Sequence, residues 1–318
     1  MRITDSAQYN GGESPGLIFT WKEETFTYHN YLRIISSGAQ GVEVLKKGII
    51  LPLIFAATIA VADDPAHVRA ELLPLTEHII PGEKLVLAVV FTMADDWHIY
   101  WQNPGDAGMS TAFHWQLPEG FKLLSRQEPA PTRLTEEGIT TFIHEEEAIY
   151  LFTFLPPENL DEQVRIGVNL DWLECKSICL AGSDSLSVEL AVKNEKANPT
   201  FEVIDLEIRA KSRLPVENPG LTRKARIQGD LLTLTLNGLN RGVSDIQKID
   251  FFPTDELVYD IQGPPRLKTF LWRKQLMIPL LPDRENTPQQ LKGVLAIKPA
   301  APKSAQTQYF TINQGIKK

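Results

Sequence analysis

Cys175 and Cys179 are the two cysteines of this 318-residue chain, and Lys176, Ser177 and Ile178 separate them. Two thiols at this spacing can form a disulfide that is either a small structural staple or a redox centre that exchanges with other thiols. A straight strand would hold their Cα atoms about 13 Å apart, at roughly 3.3 Å per residue, whereas a disulfide needs about 4.4–6.8 Å. The chain must therefore turn between them, through one helical turn or a tight hairpin loop.

The elements around the pair follow a β pattern. Short segments rich in Val, Ile, Leu, Phe and Thr recur between Gly, Pro, Asn and Asp, which is typical of a β-sandwich. The predicted strands in this part of the chain are 68–73, 84–93, 111–116, 148–155, 163–173 and 185–192. The cysteine pair therefore lies at the connection between the last two of these strands.

A second β-rich region follows a polar break at 193–198. Asn198-Pro199 predicts the start of a short helix, with proline at the first helical position and Phe201, Ile204 and Ile208 on one face. Further strands are predicted at 225–228, 231–236, 249–252, 257–261, 269–271, 275–281, 293–297 and 308–312. We interpret the chain as an all-β protein with two sandwich domains in tandem, at 63–193 and 213–318, joined by a linker with a short helix at 194–212.

The N-terminal region contains a predicted export signal. Lys46-Lys47 precedes an apolar run at 48–60, and a small-residue cleavage site ends near Ala62, so 46–62 matches a signal peptide. The run is short for a membrane span, which needs about 20 residues, although an uncleaved anchor is the alternative. Residues 1–45 are interpreted as an upstream extension from a misassigned start. Export predicts a periplasmic protein, in a compartment where a disulfide can persist.

Charge and motif content exclude several classes. The net charge is −8 and no basic cluster is present, so the chain is not predicted to bind nucleic acid. It has no glycine-rich phosphate loop, no G-x-S-x-G elbow and no H-E-x-x-H motif, and these absences leave hydrolase and kinase chemistry without support. We predict no cofactor.

Three segments in order carry a family resemblance. The segment 97–108 (WHIYWQNPGDAG) resembles the W-H-x-Y-W-x-N-P-G-D-x-G segment of the DsbD N-terminal domain family, in particular its ScsB-like branch. The segment 114–120 (HWQLPEG) matches the strand and turn that follow there, and 171–179 (DWLECKSIC) looks like that branch's D-W-L-x-C-x-x-x-C. The resemblance covers 65–193, with a weaker likeness in the second half.

The resemblance implies a fold and a function. The domain would be an immunoglobulin-like sandwich, with Cys175 and Cys179 forming a reversible disulfide that carries electrons as a thiol–disulfide oxidoreductase. Its implied partners are thioredoxin-like or DsbD-type periplasmic redox proteins and a membrane reductant. Because the chain ends after the second β domain, that membrane electron carrier is expected on a separate polypeptide. The alternatives are a non-catalytic periplasmic interaction module with a structural disulfide, or a protein linked to copper tolerance.

The aromatic and turn residues near the motif have two interpretations. Trp97, Tyr100, Asn103, Asp106 and Trp172 could shield the cysteines from nonspecific oxidation. Alternatively, the aromatic residues are core residues and Asn103-Pro104-Gly105-Asp106 is simply a tight turn. The shielding hypothesis requires this loop to lie at the same end of the sandwich as Cys175.

The neighbouring charges are predicted to modulate the thiols in opposite directions. Lys176 would favour a thiolate and Glu174 would oppose it, so the two effects roughly cancel.

A metal site is the remaining alternative. The two thiolates could bind Cu(I) or Zn(II) together with His98, His114 or His144. None of these histidines has ligand spacing to the cysteines, and no metal is predicted.

Overall fold

A computed structural model describes residues 67–218, 220–237, 246–270, 273–300, 302 and 305–317. The predicted upstream extension and signal peptide lie outside the described residues. In the described part of the chain, the elements in order are β1 (Val68–Pro74), β2 (His78–Ile79), β3 (Leu85–Met93), β4 (His98–Gly105), β5 (Ala112–Gln116), β6 (Lys122–Gln127), β7 (Thr132–Glu136), β8 (Ile139–Glu145), β9 (Glu147–Leu155), β10 (Gln163–Cys175), β11 (Cys179–Val192), α1 (Phe201–Arg213), β12 (Val216–Glu217), β13 (Thr222–Gln228), β14 (Leu231–Leu236), β15 (Ile246–Pro253), β16 (Arg266–Phe270), β17 (Arg273–Pro279), β18 (Gln290–Pro299) and β19 (Gln308–Lys317).

The first half is a sandwich of two sheets. One sheet has the order β1-β3-β9-β6, and the other has the order β2-β11-β10-β4-β8-β7 with β5 added beside β10. Strand β10 shows why the layers pack: Arg165 and Asp171 are exposed, whereas the residues on either side of each of them are buried (Val164, Ile166, Leu170 and Trp172). This alternation follows from side chains pointing to opposite faces of a strand. The predicted immunoglobulin-like sandwich is confirmed.

The β10–β11 hairpin is longer than the sequence predicts. Pairing runs without a break from Gln163↔Ala191 to Cys175↔Cys179, so the predicted ends at 173 and 185 are wrong. Residues 181–184 (AGSD) are small or polar, with weak strand propensity, but continuous pairing with an inner strand outweighs local preference. As a result, both cysteines belong to strands rather than to the loop.

The second half is also a β structure, built from one continuous eight-stranded sheet. Its strand order is β15-β18-β19-β13-β14-β17-β16, with β12 paired to β19. Strand β19 pairs with β18 along most of its length and with β13 at its end. A buried apolar cluster that includes Leu234 of β14, Leu276 of β17 and Leu295 of β18 brings strands from the two halves of this order together around one core. The predicted all-β class with tandem sandwiches is confirmed, and the domain boundaries remain predictions.

Two local predictions in this half are wrong. The segment 257–261 is not a strand; it contributes one isolated bridge, Tyr259↔Leu280. Leu257 has a φ of 55°, which is incompatible with extended backbone. The N-cap of α1 is Thr200, whose side chain accepts a hydrogen bond from Val203 N, rather than Asn198.

Helix α1 packs on the first sandwich. Its buried residues Leu206 and Ala210 pack in a cluster with Val90 and Ile149 of β3 and β9. The other apolar face, formed by Phe201, Ile204 and Ile208, is exposed. Within the described residues, no helix is long and apolar enough to cross a membrane.

The two sandwiches meet at an aromatic cluster. Trp101 and Phe142 of the first pack against Phe252 of the second, with ring centroids 6.4 Å and 5.3 Å apart. Arg133 of β7 forms an ion pair with Asp250 of β15 at 2.8 Å; Asp250 is buried and Arg133 is partly buried. The second sandwich is therefore packed against β4, β7 and β8, the strands that adjoin the cysteine pair.

Candidate functional site

The cysteine pair lies at the end of a β-hairpin. Cys175 and Cys179 face each other across the β10–β11 ladder and form a disulfide with a Cα–Cα distance of 4.2 Å. The connecting residues Lys176, Ser177 and Ile178 are exposed, and the amide of Lys176 donates to the carbonyl of Ile178 at 3.0 Å. Of the two turns that the spacing allows, the chain uses the tight hairpin.

The two cysteines differ in exposure. Cys175 is 2% exposed and packs with Tyr100 and Ile143, with Leu134 and Leu173 around them. Cys179 is exposed. Since exchange requires direct access of a thiolate to a sulfur, Cys179 is the side of the disulfide that a second protein can approach.

Tyr100 lies over the disulfide. Its hydroxyl donates a hydrogen bond to Cys175 Sγ at 3.1 Å and lies 4.0 Å from Cys179 Sγ. Burial raises the pKa of the Tyr100 phenol above its ordinary value of 10.0, so the phenol keeps its proton at neutral pH. A protonated hydroxyl can donate to a disulfide sulfur and, more strongly, to the thiolate that replaces it on reduction.

His98 is a neighbour of Cys175 that the sequence analysis considered only as a possible metal ligand. It lies opposite Cys175 in the β4–β10 register and edge-on to Tyr100, with ring centroids 5.3 Å apart. Burial lowers its pKa below the ordinary 6.5, against an opposing effect of the Glu136 carboxylate. The available signal was the spacing of His98 and Tyr100, which places both on one face of a strand. What the sequence lacked was the pairing of that strand with β10.

Asn103 and Asp106 do not contact the sulfurs. The Asn103 side chain is buried; its Oδ1 accepts from Gly105 N at 3.0 Å and its Nδ2 donates to Pro253 O at 2.8 Å. Asp106 Oδ2 accepts from Thr140 N and from Gln262 Nε2, each at 2.8 Å. Both residues fix the end of β4 and the loop that follows it, and their hydrogen bonds do not involve the disulfide.

Trp97 and Trp172 belong to the main core cluster of the first sandwich and not to the smaller cluster that contains Cys175. Trp97 stacks on His67 with centroids 3.9 Å apart, and its side chain belongs to the sandwich core. Trp172 is a core residue too, and its indole fills the space that a side chain at Gly182 would need. Their role in the structure is therefore packing within the sandwich core.

Lys176 and Glu174, the charged neighbours of the cysteines, bond to other side chains. Lys176 Nζ forms an ion pair with Asp96 at 2.9 Å. Glu174 is buried and accepts a hydrogen bond from Trp172 Nε1 at 2.9 Å, on the face of β10 opposite to Cys175 because successive side chains alternate. Neither side chain has a hydrogen bond or ion pair with the cysteines.

The three histidines considered as metal ligands are in separate environments. His98 adjoins Cys175, His114 lies 3.4 Å from Asp171 on the surface, and His144 is buried 3.8 Å from Glu128. Within the described residues, no group of three or more His, Cys, Asp or Glu side chains is placed to hold a metal ion.

The fold and the bonded pair define a disulfide-bearing immunoglobulin-like domain. Residues 69–191 match the family described as thiol:disulfide interchange protein DsbD, N-terminal. The N-terminal periplasmic domain of ScsB from Proteus mirabilis shares the fold over 80% of this chain and 95% of that one, with a TM-score of 0.57 and 15% identity. The reduced DsbD N-terminal domain of Neisseria meningitidis aligns over 41% of this chain and 90% of its own, with a TM-score of 0.26 and 13% identity.

None of the curated protein sequences compared with the chain matches it. The segment 69–191 is a DsbD N-terminal-like domain, which confirms the resemblance predicted from the three motifs. The family match and the bonded cysteine pair together fit thiol–disulfide interchange chemistry.

Proposed function

We propose that the Cys175–Cys179 disulfide is a reversible redox centre that carries electrons between a membrane reductant and periplasmic thiol proteins, with thioredoxin-like or DsbD-type proteins as exchange partners. The observation that carries this proposal is the asymmetry of the pair: one sulfur-bearing residue is exposed at a hairpin end, and the other is buried beneath Tyr100. Exchange depends on which sulfur an incoming thiolate can reach, and in this pair the exposed residue is Cys179.

The exchange step follows from this asymmetry. A partner thiolate attacks Cys179 Sγ, the Cys175–Cys179 bond breaks, and Cys175 leaves as a thiolate that takes up a proton. The partner's second thiolate then attacks the partner's own sulfur in the mixed disulfide, the bond to Cys179 breaks, and Cys179 leaves as a thiolate that takes up a second proton. The partner becomes a disulfide, and this protein holds two thiols, having gained two electrons and two protons. The reverse sequence passes the electrons on.

A purely structural disulfide is disfavoured by its position. The β10–β11 ladder already pairs every residue from 163 to 175 with a partner on β11, so the bond joins two residues that the sheet holds together. A loop this short contributes only about 2 kcal/mol through chain entropy. A staple would stabilise the fold more if it closed a longer loop.

The deciding experiment uses the two serine variants with a thioredoxin-like protein that lacks its resolving cysteine and carries thionitrobenzoate on its attacking cysteine. Cys175→Ser, which keeps the exposed thiol, should release thionitrobenzoate and form a mixed disulfide. Cys179→Ser, which keeps the buried thiol, should react much more slowly. Equal rates for the two variants would contradict the proposed step. A reduction potential below about −300 mV, with no exchange, would identify a structural disulfide instead.

We also propose that the protein works in the periplasm after removal of a signal peptide near Ala62. The family match supports this placement, since the similar ScsB domain is described as periplasmic. Expression in a Gram-negative host, fractionation and N-terminal sequencing test it. A mature chain that begins close to Asp63 is expected, and a membrane-retained chain that still carries 46–62 would favour the anchor.

A further inference from the structure

The end of β4 and the loop that follows it are held by hydrogen bonds from the second sandwich. Asn103 Nδ2 donates to Pro253 O, and Gln262 Nε2 donates to Asp106 Oδ2, each at 2.8 Å. These partners lie 150 and 156 residues away along the chain. The first sandwich contributes Thr140 N, which also donates to Asp106 Oδ2 at 2.8 Å. The segment 103–108 is thus fixed from both sides.

Packing fixes the same segment. Gly105 has a φ of 89°, and a Cβ there would lie 2.5 Å from Thr140 O and 3.2 Å from Ile261 Cδ1. Ile261 is held in turn by Arg133, which donates to its carbonyl oxygen and pairs with Asp250. The loop backbone therefore fits between β8 of the first sandwich and the segment around Ile261 of the second, and only glycine fits at this point.

At the other end of the segment, Gly108 packs closely against the ring of Tyr100. Gly108 has a φ of 107°, and a Cβ there would lie 2.2 Å from Cε1 of the Tyr100 ring. The hydroxyl of the same ring reaches Cys175 Sγ. A continuous series of contacts thus runs from Pro253, Ile261 and Gln262 through the 103–108 segment to the buried sulfur.

We propose that the second sandwich is a positioning element for the disulfide. It holds the 103–108 segment against Tyr100, so that Cys175 stays covered and attack is directed to Cys179. This inference rests on the proposed function, because steering matters only if the pair exchanges. It gives the second sandwich, which has no cysteine of its own, a part in the chemistry of the first.

The test loosens these contacts without touching the cysteines or Tyr100. Asn103→Asp keeps the oxygen that accepts from Gly105 N but loses the donor to Pro253 O. Gln262→Ala removes the exposed partner of Asp106, and a double variant combines the two. Gln290→Ala is the matched control, since Gln290 is an exposed glutamine of the second sandwich on β18.

The readout is the rate at which iodoacetamide alkylates each thiol of the fully reduced protein. Trypsin cuts after Arg165, Lys176 and Lys193, so Cys175 and Cys179 fall in separate peptides, 166–176 and 177–193. We expect Cys179 to react much faster in the wild type. The ratio of the Cys175 rate to the Cys179 rate should rise severalfold in the single variants and more in the double variant, with Gln290→Ala unchanged.

Thermal unfolding separates positioning from general damage. If Gln262→Ala and the double variant melt as the wild type does and keep its alkylation ratio, the inference is wrong. The ratio must rise in variants that remain folded at the labelling temperature. A merely structural role would lower the melting temperature and leave the ratio of the folded protein unchanged.

Alkylation needs no protein partner, so this inference and the proposed function can fail separately. If the loosening variants raise the alkylation ratio but the wild-type protein does not exchange with a thioredoxin-like protein, the positioning role stands and the proposed function is wrong. If the protein exchanges normally but the alkylation ratio is unchanged in every loosening variant, the proposed function stands and the positioning role is wrong.

Discussion

The hydroxyl of Tyr100 donates a hydrogen bond to the sulfur of Cys175 across 3.1 Å, from a strand 75 residues earlier in the chain. The Tyr100 ring and its hydroxyl can act separately on the disulfide, because the ring covers Cys175 and the hydroxyl bonds to it. Substitutions at this one position distinguish the two effects.

Tyr100→Phe keeps the covering ring, so alkylation of Cys175 in the reduced protein should stay slow. Tyr100→Ala removes the ring and should speed that alkylation by about tenfold or more, the factor that corresponds to 1.4 kcal/mol. Peptide mass spectrometry after trypsin measures both. Equally fast alkylation in the phenylalanine variant would show that the hydroxyl, not the ring, protects the thiol.

Gly108 and Gly138 form a matched pair for the contact with Tyr100. Both have positive φ, at 107° and 84°, but a Cβ at 138 meets nothing within 4 Å. Alanine at either position should cost about 1–3 kcal/mol of backbone strain. Only Gly108→Ala should also displace Tyr100 and raise alkylation of Cys175. Urea unfolding and the alkylation ratio check this, and a similar rise in Gly138→Ala would contradict it.

Much of the fold could be predicted from the sequence, because alternation and turn residues are local signals. The strand at 231–236 is placed as predicted. The extension of β10 to Cys175 could not be predicted, since it depends on pairing with β11 and β4. The sequence also could not predict which face of α1 is exposed, because a periodic pattern does not say which of two apolar faces packs on a sheet.

For the site, the sequence predicted the turn between the cysteines but not their surroundings. Tyr100 was one of five candidates for shielding, and only the fold separates it from Trp97 and Trp172, which lie in the core. The contacts of Asn103 and Asp106 with Pro253 and Gln262 join segments about 150 residues apart. No local sequence pattern encodes such contacts. For this reason the sequence alone predicted no role for the second sandwich at the disulfide.

Buried histidines should make the protein less stable in mild acid. Burial is the largest cause that lowers the pKa of both His98 and His144 below 6.5; the Glu136 and Glu128 carboxylates, respectively, oppose it. The unfolded chain therefore binds more protons than the folded one once the pH falls below about 6.5. The free energy of unfolding should then decrease, down to the pKa of each folded-state imidazole, by at most about 1.4 kcal/mol per pH unit for each histidine.

The contribution of His144 can be isolated. Both of its ring nitrogens are buried without a hydrogen-bond partner, so His144→Phe keeps an aromatic ring and removes the titration. Urea unfolding at a series of pH values from 7.5 to 5 should give a shallower dependence in the variant than in the wild type. An unchanged slope would mean that His144 titrates alike in both states.

The ion pair between Arg133 and Asp250 should be a principal support of the contact between the sandwiches. Their side chains are 10% and 5% exposed, and the guanidinium donates to both carboxylate oxygens. Arg133→Met leaves a buried carboxylate without its cation, which typically costs about 3–5 kcal/mol. Urea unfolding should show this loss. Asp250→Asn added to Arg133→Met should recover part of it, because the uncompensated charge is gone.

A surface arginine, Arg209, provides the control for the Arg133–Asp250 ion pair. Arg209 on α1 pairs with Asp205 and Glu147, all well exposed or half-exposed, so Arg209→Met should cost no more than about 1 kcal/mol. Because Arg133 also holds the carbonyl of Ile261, Arg133→Met should raise the alkylation of Cys175 relative to Cys179, and Arg209→Met should not. A loss below about 1 kcal/mol in Arg133→Met would place the pair among weak surface bridges instead.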